Sequence, residues 1–451
     1  MSVLNADLAP TGEPSTSLFV ARNAVDADTR KYGNRLSPLG RLPTEILTII
    51  FTFTSLPRGP TAQPAPWTVS AVCTRWRAVV ISHPLSWTFI DLRSRCRASL
   101  HVRRLKTQLR RSRNLPLDVE FSPLPLSEEK KLKRIDVKLL QMLCEHSGRW
   151  GTLSLSGPRQ LYLELKDLVR YPLALLREVE VRMTYQGDEN GSLDIFHDAP
   201  LLQKVVANKS YPEWNHPLTM TLPSSQLVYY GGSSMWGGHL DVLGNAGNLV
   251  DCILEIPRSG VPPIIPIHLP NLRRLSLSQP EFLQGLETPV LLELYSPFAS
   301  SIDRFLRRQS CRLRKLVLWK RSRRDVASEL VRLIDTVPTL AELGLLMPLP
   351  IAFVHDLGTN PGLAPVLEHI SAFSATGVDD DILMEAIERR WAGRRLKSAK
   401  VYMEDRFEFP PSIQNRIELL RAQDMEFATF HWLGLLLNDV VPSEFQIQSL
   451  L

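Results

Sequence analysis

One phrase, L-x-x-L-x-L or a close variant, recurs through the last two thirds of this 451-residue chain and limits its possible folds more than any other feature. Clear copies are LREVEV (176–181), LVDCIL (249–254), LRRLSL (272–277), LRKLVL (313–318) and LAELGL (340–345). Looser copies are WGTLSL (150–155), LQKVVA (202–207), LVYYGG (227–232), LLELYS (291–296), LEHISA (367–372) and LKSAKV (396–401). Their starts lie 19 to 29 residues apart. Apolar residues at alternate positions mark a short strand with one buried face. A turn of this length cannot bury its leucines alone, so consecutive turns must share one continuous core.

The phrase and its spacing resemble the leucine-rich repeat. That resemblance implies an α/β solenoid with parallel strands on the concave face and helices and loops outside. Proline positions support the register. Pro200, Pro270, Pro289, Pro338 and Pro365 each stand two residues before the opening leucine, where they stop a preceding helix and pre-set an extended entry. Pro158, Pro257, Pro280 and Pro348 stand three residues after the last strand position. The family usually has Asn or Cys at that later place, bonding the turn; this chain does not, so an irregular solenoid is expected. Helices are expected over 325–336 and 381–391, the latter capped by Asp379 or Asp380. A helix over 128–145 is expected to cover one end of the array and the run 411–437 the other.

The N-terminal part reads differently. Residues 1–36 lack long apolar periodicity and are expected to form a tail. In LPTEILTIIF (42–51), Pro43 suits a first helical turn, and Ile46, Leu47, Ile50 and Phe51 form one apolar stripe. SLPRGPTAQPAP (55–66) holds four prolines and reads as an extended loop. A second helix is expected over WTVSAVCTRWRAVVI (67–81), with Val69, Val72, Cys73, Trp76 and Val80 on one face. HPLSW (83–87) and a short strand, FIDL (89–92), follow.

The ordered set LPTEIL, VCTRWR, PLSW resembles the F-box, most closely of fungal type, over residues 37–92. The resemblance implies a helical module that docks on a Skp-type adaptor and through it on a cullin. Carried onto this chain, the adaptor contacts are Leu42, Pro43, Ile46, Leu47, Ile50, Val72, Cys73 and Trp76. The expected organisation is a tail (1–36), an F-box (37–92), a basic linker and start of the array (93–127), the solenoid (128–403) and a capping segment (404–451). The implied function is the substrate-recognition subunit of a ubiquitin ligase of Skp–cullin–F-box type. A scaffold without a role in ubiquitylation and a nucleic-acid-binding platform are the alternatives.

Composition narrows the rest. The chain is 44% hydrophobic and 22% charged with a formal charge of +6, the balance of an ordinary folded protein. Five scattered cysteines, with no CxxC pair, read as reduced thiols and suggest a cytoplasmic or nuclear setting. Asp7 and Glu13 near the start argue against a secretory leader, and Asn190 and Asn208 then stand in chance sequons. No GxxxxGK[ST], HExxH or GxSxG motif is present and the histidines lack metal-ligand spacing, so neither catalysis nor a cofactor is expected. The glycines of YYGGSSMWGGH (229–239) read as a flexible turn after a strand. Residues 92–117 hold nine Lys or Arg and no acid, and read as a solvated basic helix or turn, with nuclear import or an acidic partner as the alternatives.

The substrate is expected on the concave face. Residues alternating with the inward leucines point there. In that register Tyr229, Arg274, Tyr295, Lys315, Trp319 and Tyr402 are expected to be exposed anchors, beside Glu342, Leu346 and Phe373; the alternatives are that loops or the C-terminal segment cover them, or that the register slips by one in the weaker repeats.

Overall fold

A computed structural model describes residues 41–54, 65–92, 98–123, 132–183, 192–209, 219–256, 266–309, 311–319, 327–374, 380–393, 395–403 and 408–431. The expected tail (1–36), most of the proline-rich insert, Asp379 and the basic KRSRR (320–324) lie outside these residues. Two compact units form. One comprises Met1–Phe89 with Lys106–Leu115; the other comprises Ile90–Leu105 with Pro116–Leu451.

The first unit contains α1 (Thr44–Thr54), α2 (Ala65–Val72), α3 (Thr74–Ser82) and a 3-10 turn, Pro84–Trp87. The single helix expected over 67–81 is broken at Cys73, which is extended at φ −155° and ψ 169°. Its Sγ caps α3 by accepting the Trp76 N–H at 3.4 Å. The break resets the helical phase, so Val72 lies 59% exposed while Val79 and Val80 are buried. Leu47, Phe51, Val79, Val80 and Trp87 form the core. Trp87 anchors it: its indole N–H donates to the Val80 carbonyl at 2.8 Å, and Trp67 packs edge-on at 5.1 Å. The Arg111 guanidinium lies 4.4 Å from the Trp87 ring centroid, a cation–π contact. Part of the basic stretch is therefore packing, not a free positive surface.

The second unit is one 14-stranded sheet whose strands follow in chain order. They are β1 (Phe89–Leu92), β2 (Leu117–Phe121), β3 (Trp150–Gly157), β4 (Glu178–Met183), β5 (Lys204–Lys209), β6 (Tyr229–Ser233) and β7 (Asp251–Glu255). Then come β8 (Arg274–Leu277), β9 (Glu293–Pro297), β10 (Lys315–Trp319), β11 (Glu342–Pro348), β12 (His369–Ser374), β13 (Ser398–Met403) and β14 (Glu426–His431). Each recurring phrase falls on one strand, and the pairings from β2 to β14 are parallel. The array is longer at both ends than the phrase suggests. FIDL opens the sheet, and β14 adds a final strand where a capping segment was expected.

The opening leucine fixes each turn. The N–H groups of Leu202, Leu272, Leu291, Leu340 and Leu367 each bond the carbonyl three residues back. That places the preceding prolines at the second position of a β-turn, where their fixed φ is already correct. Next, two successive N–H groups share one carbonyl of the preceding turn: Arg273 and Arg274 on Val250, Leu292 and Glu293 on Arg273, Arg314 and Lys315 on Leu292. The Asn missing after the strands has counterparts before them. Asn248 donates to the Ser225 carbonyl at 2.8 Å, Asn271 to Gly247 at 2.9 Å and Thr339 to Leu313 at 2.7 Å.

Between strands the connections are helices, 3-10 turns or short extended pieces; the helices include α4 (Ala98–Arg111), α5 (Arg134–Cys144), α6 (Arg159–Leu168), α7 (Trp236–Leu243), α8 (Ser300–Arg308), α9 (Ala327–Asp335), α10 (Ile351–Thr359), α11 (Asp380–Ala392) and α12 (Pro411–Ala422). Arg390 on α11 ties neighbouring turns together by donating to the carbonyls of Leu357, Asn360, Leu363 and Ala364. Asp380 does not stand before its helix as a cap; it is the first residue, buried, and accepts from the Ser374 hydroxyl at 2.6 Å.

The glycine cluster is not a flexible turn. Gly231 and Gly232 are inside β6, and Gly237 and Gly238 are inside α7. A Cβ at Gly232 would lie 2.5 Å from the Tyr230 hydroxyl and 3.1 Å from the His239 ring. Glycine therefore makes room for the buried hydrogen bond between Tyr230 and His239 Nδ1, 3.1 Å long.

Leu275 is fully buried on β8, between strands β7 and β9. Leu275→Asp is expected to cost about 3–5 kcal/mol, because an unpaired carboxylate enters a shared core. Limited proteolysis should cut first within 249–318; a digestion pattern unchanged from the parent chain would show that Leu275 supports no neighbouring turn.

Candidate functional site

Two surfaces carry the residues singled out in the sequence. The first is α1, with sequence TEILTIIFTFT. A helix with apolar residues on every side has more apolar surface than a small unit can bury. Leu47 and Phe51 face the core at 1% and 2% exposure. Leu47 is therefore a core residue, not an exposed contact. Ile46 and Ile50 point away, and so do Ile49 at 52% and Phe53 at 61% exposure. The single stripe read from the sequence is really two. Residues 46, 49, 50 and 53 repeat at i, i+3, i+4 and i+7, a signal present in the sequence that would have found Ile49 and Phe53.

Among the other expected contacts, Pro43 and Val72 are exposed, while Leu42, Cys73 and Trp76 are half-buried. The Trp76 ring packs on Phe51 at 5.0 Å, and the Leu42 carbonyl accepts from the Arg75 guanidinium. Ile81 and Leu85 add further exposed apolar surface in this unit.

The second surface is the sheet face opposite the inward leucines. Strand register aligns its side chains into rows. In one row Asp251, Arg274, Glu293, Lys315 and Glu342 alternate in charge from strand to strand. Opposite charges directly across neighbouring strands stabilise a sheet where like charges would not. Arg274 grips Asp251 with Nε at 2.5 Å and with its Nη2, and Lys315 reaches Glu342 at 3.0 Å. The Tyr295 hydroxyl donates to Glu293 at 2.6 Å. Burial and that carboxylate both push the Tyr295 phenol above its ordinary pKa, so it stays a neutral donor.

The remaining positions hold the aromatic side chains. Tyr229, Ile253, Tyr295, Val317, Trp319, Leu346, Phe373 and Tyr402 form one buried cluster, extended by Val206 and Phe430. The alternation read from the sequence is correct, since these side chains are segregated from the leucine core. Their expected exposure is not. Tyr295 and Tyr402 are 0% exposed and Trp319 5%. Arg274 and Lys315 are half-buried and ion-paired. Strands about 4.8 Å apart bring large side chains of one row into contact; Tyr402 and Phe430 stack with centroids 5.2 Å apart. The alternation rule gives a side chain's direction but not what lies above it.

Chemistry beyond packing is sparse among the described residues. They contain no group of three or more His, Cys, Asp or Glu placed to hold a metal ion, and no helix long and apolar enough to cross a membrane. Burial pushes the Cys144 thiol up to about 12 and the Cys252 thiol higher still, which leaves neither activated as a nucleophile.

No family model matches the sequence, and no curated protein matches it. Matches among solved structures are distant. One is a chain of the TLR13–ssRNA13 complex, at 12% identity and a TM-score of 0.30, covering 61% of this chain and 48% of that one. This chain thus spans about half the length of that match. Another is a chain of the Rad7 and Elc1 complex in yeast, at 11% identity and a TM-score of 0.30, covering 89% of this chain and 97% of that one. The fold is an irregular leucine-rich-repeat solenoid, established by the strand order and register.

Two outcomes test the buried face. Trp319→Ala is expected to destabilise the second unit by about 3–5 kcal/mol in urea unfolding, as for a large aromatic removed from a core. Arg274→Ala leaves Asp251 without its bidentate partner and is expected to cost roughly 2–3 kcal/mol, part of which returns in the double variant with Asp251→Ala. Additive losses in that cycle would mean the pair is not coupled.

Proposed function

We propose that this chain is a non-catalytic substrate receptor of a ubiquitin ligase of Skp–cullin–F-box type. The reading rests on the resemblance of LPTEIL, VCTRWR and PLSW to the F-box and on one observation, the apolar outer face of α1. Four large side chains, Ile46, Ile49, Ile50 and Phe53, project from one helix into solvent. Scattered exposed apolar residues are ordinary, but a contiguous helical stripe of them marks a protein contact. A Skp-type adaptor is the partner the resemblance implies, with a cullin beyond it and a protein substrate on the second unit. The reaction would then gain from tethering substrate near the ubiquitin donor, not from side-chain chemistry in this chain. A cytoplasmic or nuclear setting belongs to the same proposal.

The nucleic-acid alternative is less favoured. Arg111 is engaged over Trp87, and Leu105 and Leu109 of the basic helix are buried.

The test separates docking from folding. Ile46→Asp with Ile50→Asp places charge on the outer stripe and is expected to weaken capture of a purified Skp-type adaptor about 100-fold or more, with the melting temperature of the chain unchanged. Leu47→Asp, by contrast, is expected to unfold the first unit. Adaptor capture unaffected by the double substitution would rule out α1 as the docking element.

A further inference from the structure

Packing accounts for only one side of the basic stretch that ends α4. Arg111 lies over Trp87 and Trp67, and Gln108, Leu109 and Ser112 are buried in the same stretch. Lys106, Arg110 and Arg113 are exposed instead. Lys106 and Arg110 stand four residues apart on one helix face, and Arg113 follows two residues beyond the helix end. We infer that these three side chains form a docking site for an acidic polypeptide segment of a partner protein. The site goes beyond the receptor reading and is independent of whatever α1 binds.

Lys106 and Arg113 are not the residues that folding alone favours at their positions. Like charges at i and i+4 repel on a helix surface, and the 14 residues of α4 include no Asp or Glu to offset them. Among the described residues, none of Lys106, Arg110 and Arg113 has a carboxylate partner. Other helices of this chain neutralise their arginines: Arg307 pairs with Asp303 and Arg389 with Glu385 at the same four-residue spacing, and Arg416 grips Glu388. Arg113 has φ 52°, in the left-handed region. Glycine is the usual residue just past a helix end in that conformation, because a side chain is strained there. A cation is kept where glycine would fold more easily.

Charge distribution points to the occupant. Of the chain's 53 Lys or Arg and 47 Asp or Glu, the first unit holds 12 and five, so it carries +7 and the rest of the chain −1. Such a local excess attracts an acidic partner to this unit over a long range. A nucleic acid needs phosphate contacts over an extended footprint, which the remainder of the chain, at −1, does not supply. Residues 106–115 also include no aromatic side chain on which a base could stack. A lipid surface needs apolar side chains to insert, and Leu105 and Leu109 are buried within the protein. The row from 106 to 113 is about 10 Å long, a length that three or four carboxylates of one peptide segment can match.

The full chain provides the test, read by fluorescence anisotropy with a labelled Glu-rich peptide as the probe. The parent chain is expected to bind the peptide, and more weakly as salt rises to physiological strength. Lys106→Glu with Arg110→Glu and Arg113→Glu is expected to weaken binding about tenfold or more. Arg170→Glu with Arg177→Glu and Arg332→Glu makes the same change of charge at exposed residues of the second unit, and is expected to leave affinity within about twofold. Two single variants separate docking from folding. Lys106→Glu places a carboxylate four residues before Arg110, and Arg113→Gly relieves the left-handed position. Each is expected to raise the melting temperature by about one or two degrees while weakening the peptide several-fold. The site is refuted if the parent chain does not bind the peptide, if both triple variants weaken it equally, or if the single variants lower stability and affinity together. Oligothymidylate binding more tightly than the peptide, through the same three residues, would overturn the polypeptide in favour of a nucleic acid.

Discussion

The structure depends on the sharing of one apolar core between consecutive turns. A turn of 19 to 29 residues has one short strand with a few inward apolar side chains, too little to stand alone. Parallel register solves this by setting each strand's inward residues against those of the next: Leu275 lies between Cys252 and Leu294, and Leu316 between Leu294 and Leu343. The features around it serve that register. Prolines shape the turn before five of the opening leucines, shared carbonyls lock the turn to its neighbour, and Asn248, Asn271 and Thr339 bond the preceding loop. Irregular connections are tolerated because only the strand and its entry turn need to repeat.

The two surfaces treat apolar side chains in opposite ways. The first unit is too small to hide both stripes of α1, so Leu47 and Phe51 build the core while Ile46, Ile49, Ile50 and Phe53 remain outside. The second unit is long enough to form two apolar layers, one on each face of the sheet. Its outer layer is bounded by the charge-alternating row from Asp251 to Glu342. That row fixes register electrostatically where the leucines fix it by packing.

Much of the fold was legible in the sequence, because period-two alternation and a repeating spacing follow directly from strand geometry. All eleven phrases became strands. The strand β14 was less legible: EFATFH carries no opening leucine. The LVYYGG phrase marked its strand, but the place of Gly232 within it was hidden, because its role, space for Tyr230 and His239, exists only once α7 is in place. In the first unit, the helix break at Cys73 was hidden because WTVSAVCTRWRAVVI keeps a plausible helical period straight through it.

The candidate surfaces divide along the same line. Sequence alone determined which residues share a face: 46, 49, 50 and 53 on one helix stripe, and Tyr295, Trp319 and Tyr402 opposite the leucines, since period and handedness are local properties of the backbone. Only the tertiary structure decided which face meets solvent. Leu47 differs from Ile46, and Trp319 from a free anchor, by what packs above them, and burial depends on contacts between residues far apart in the chain.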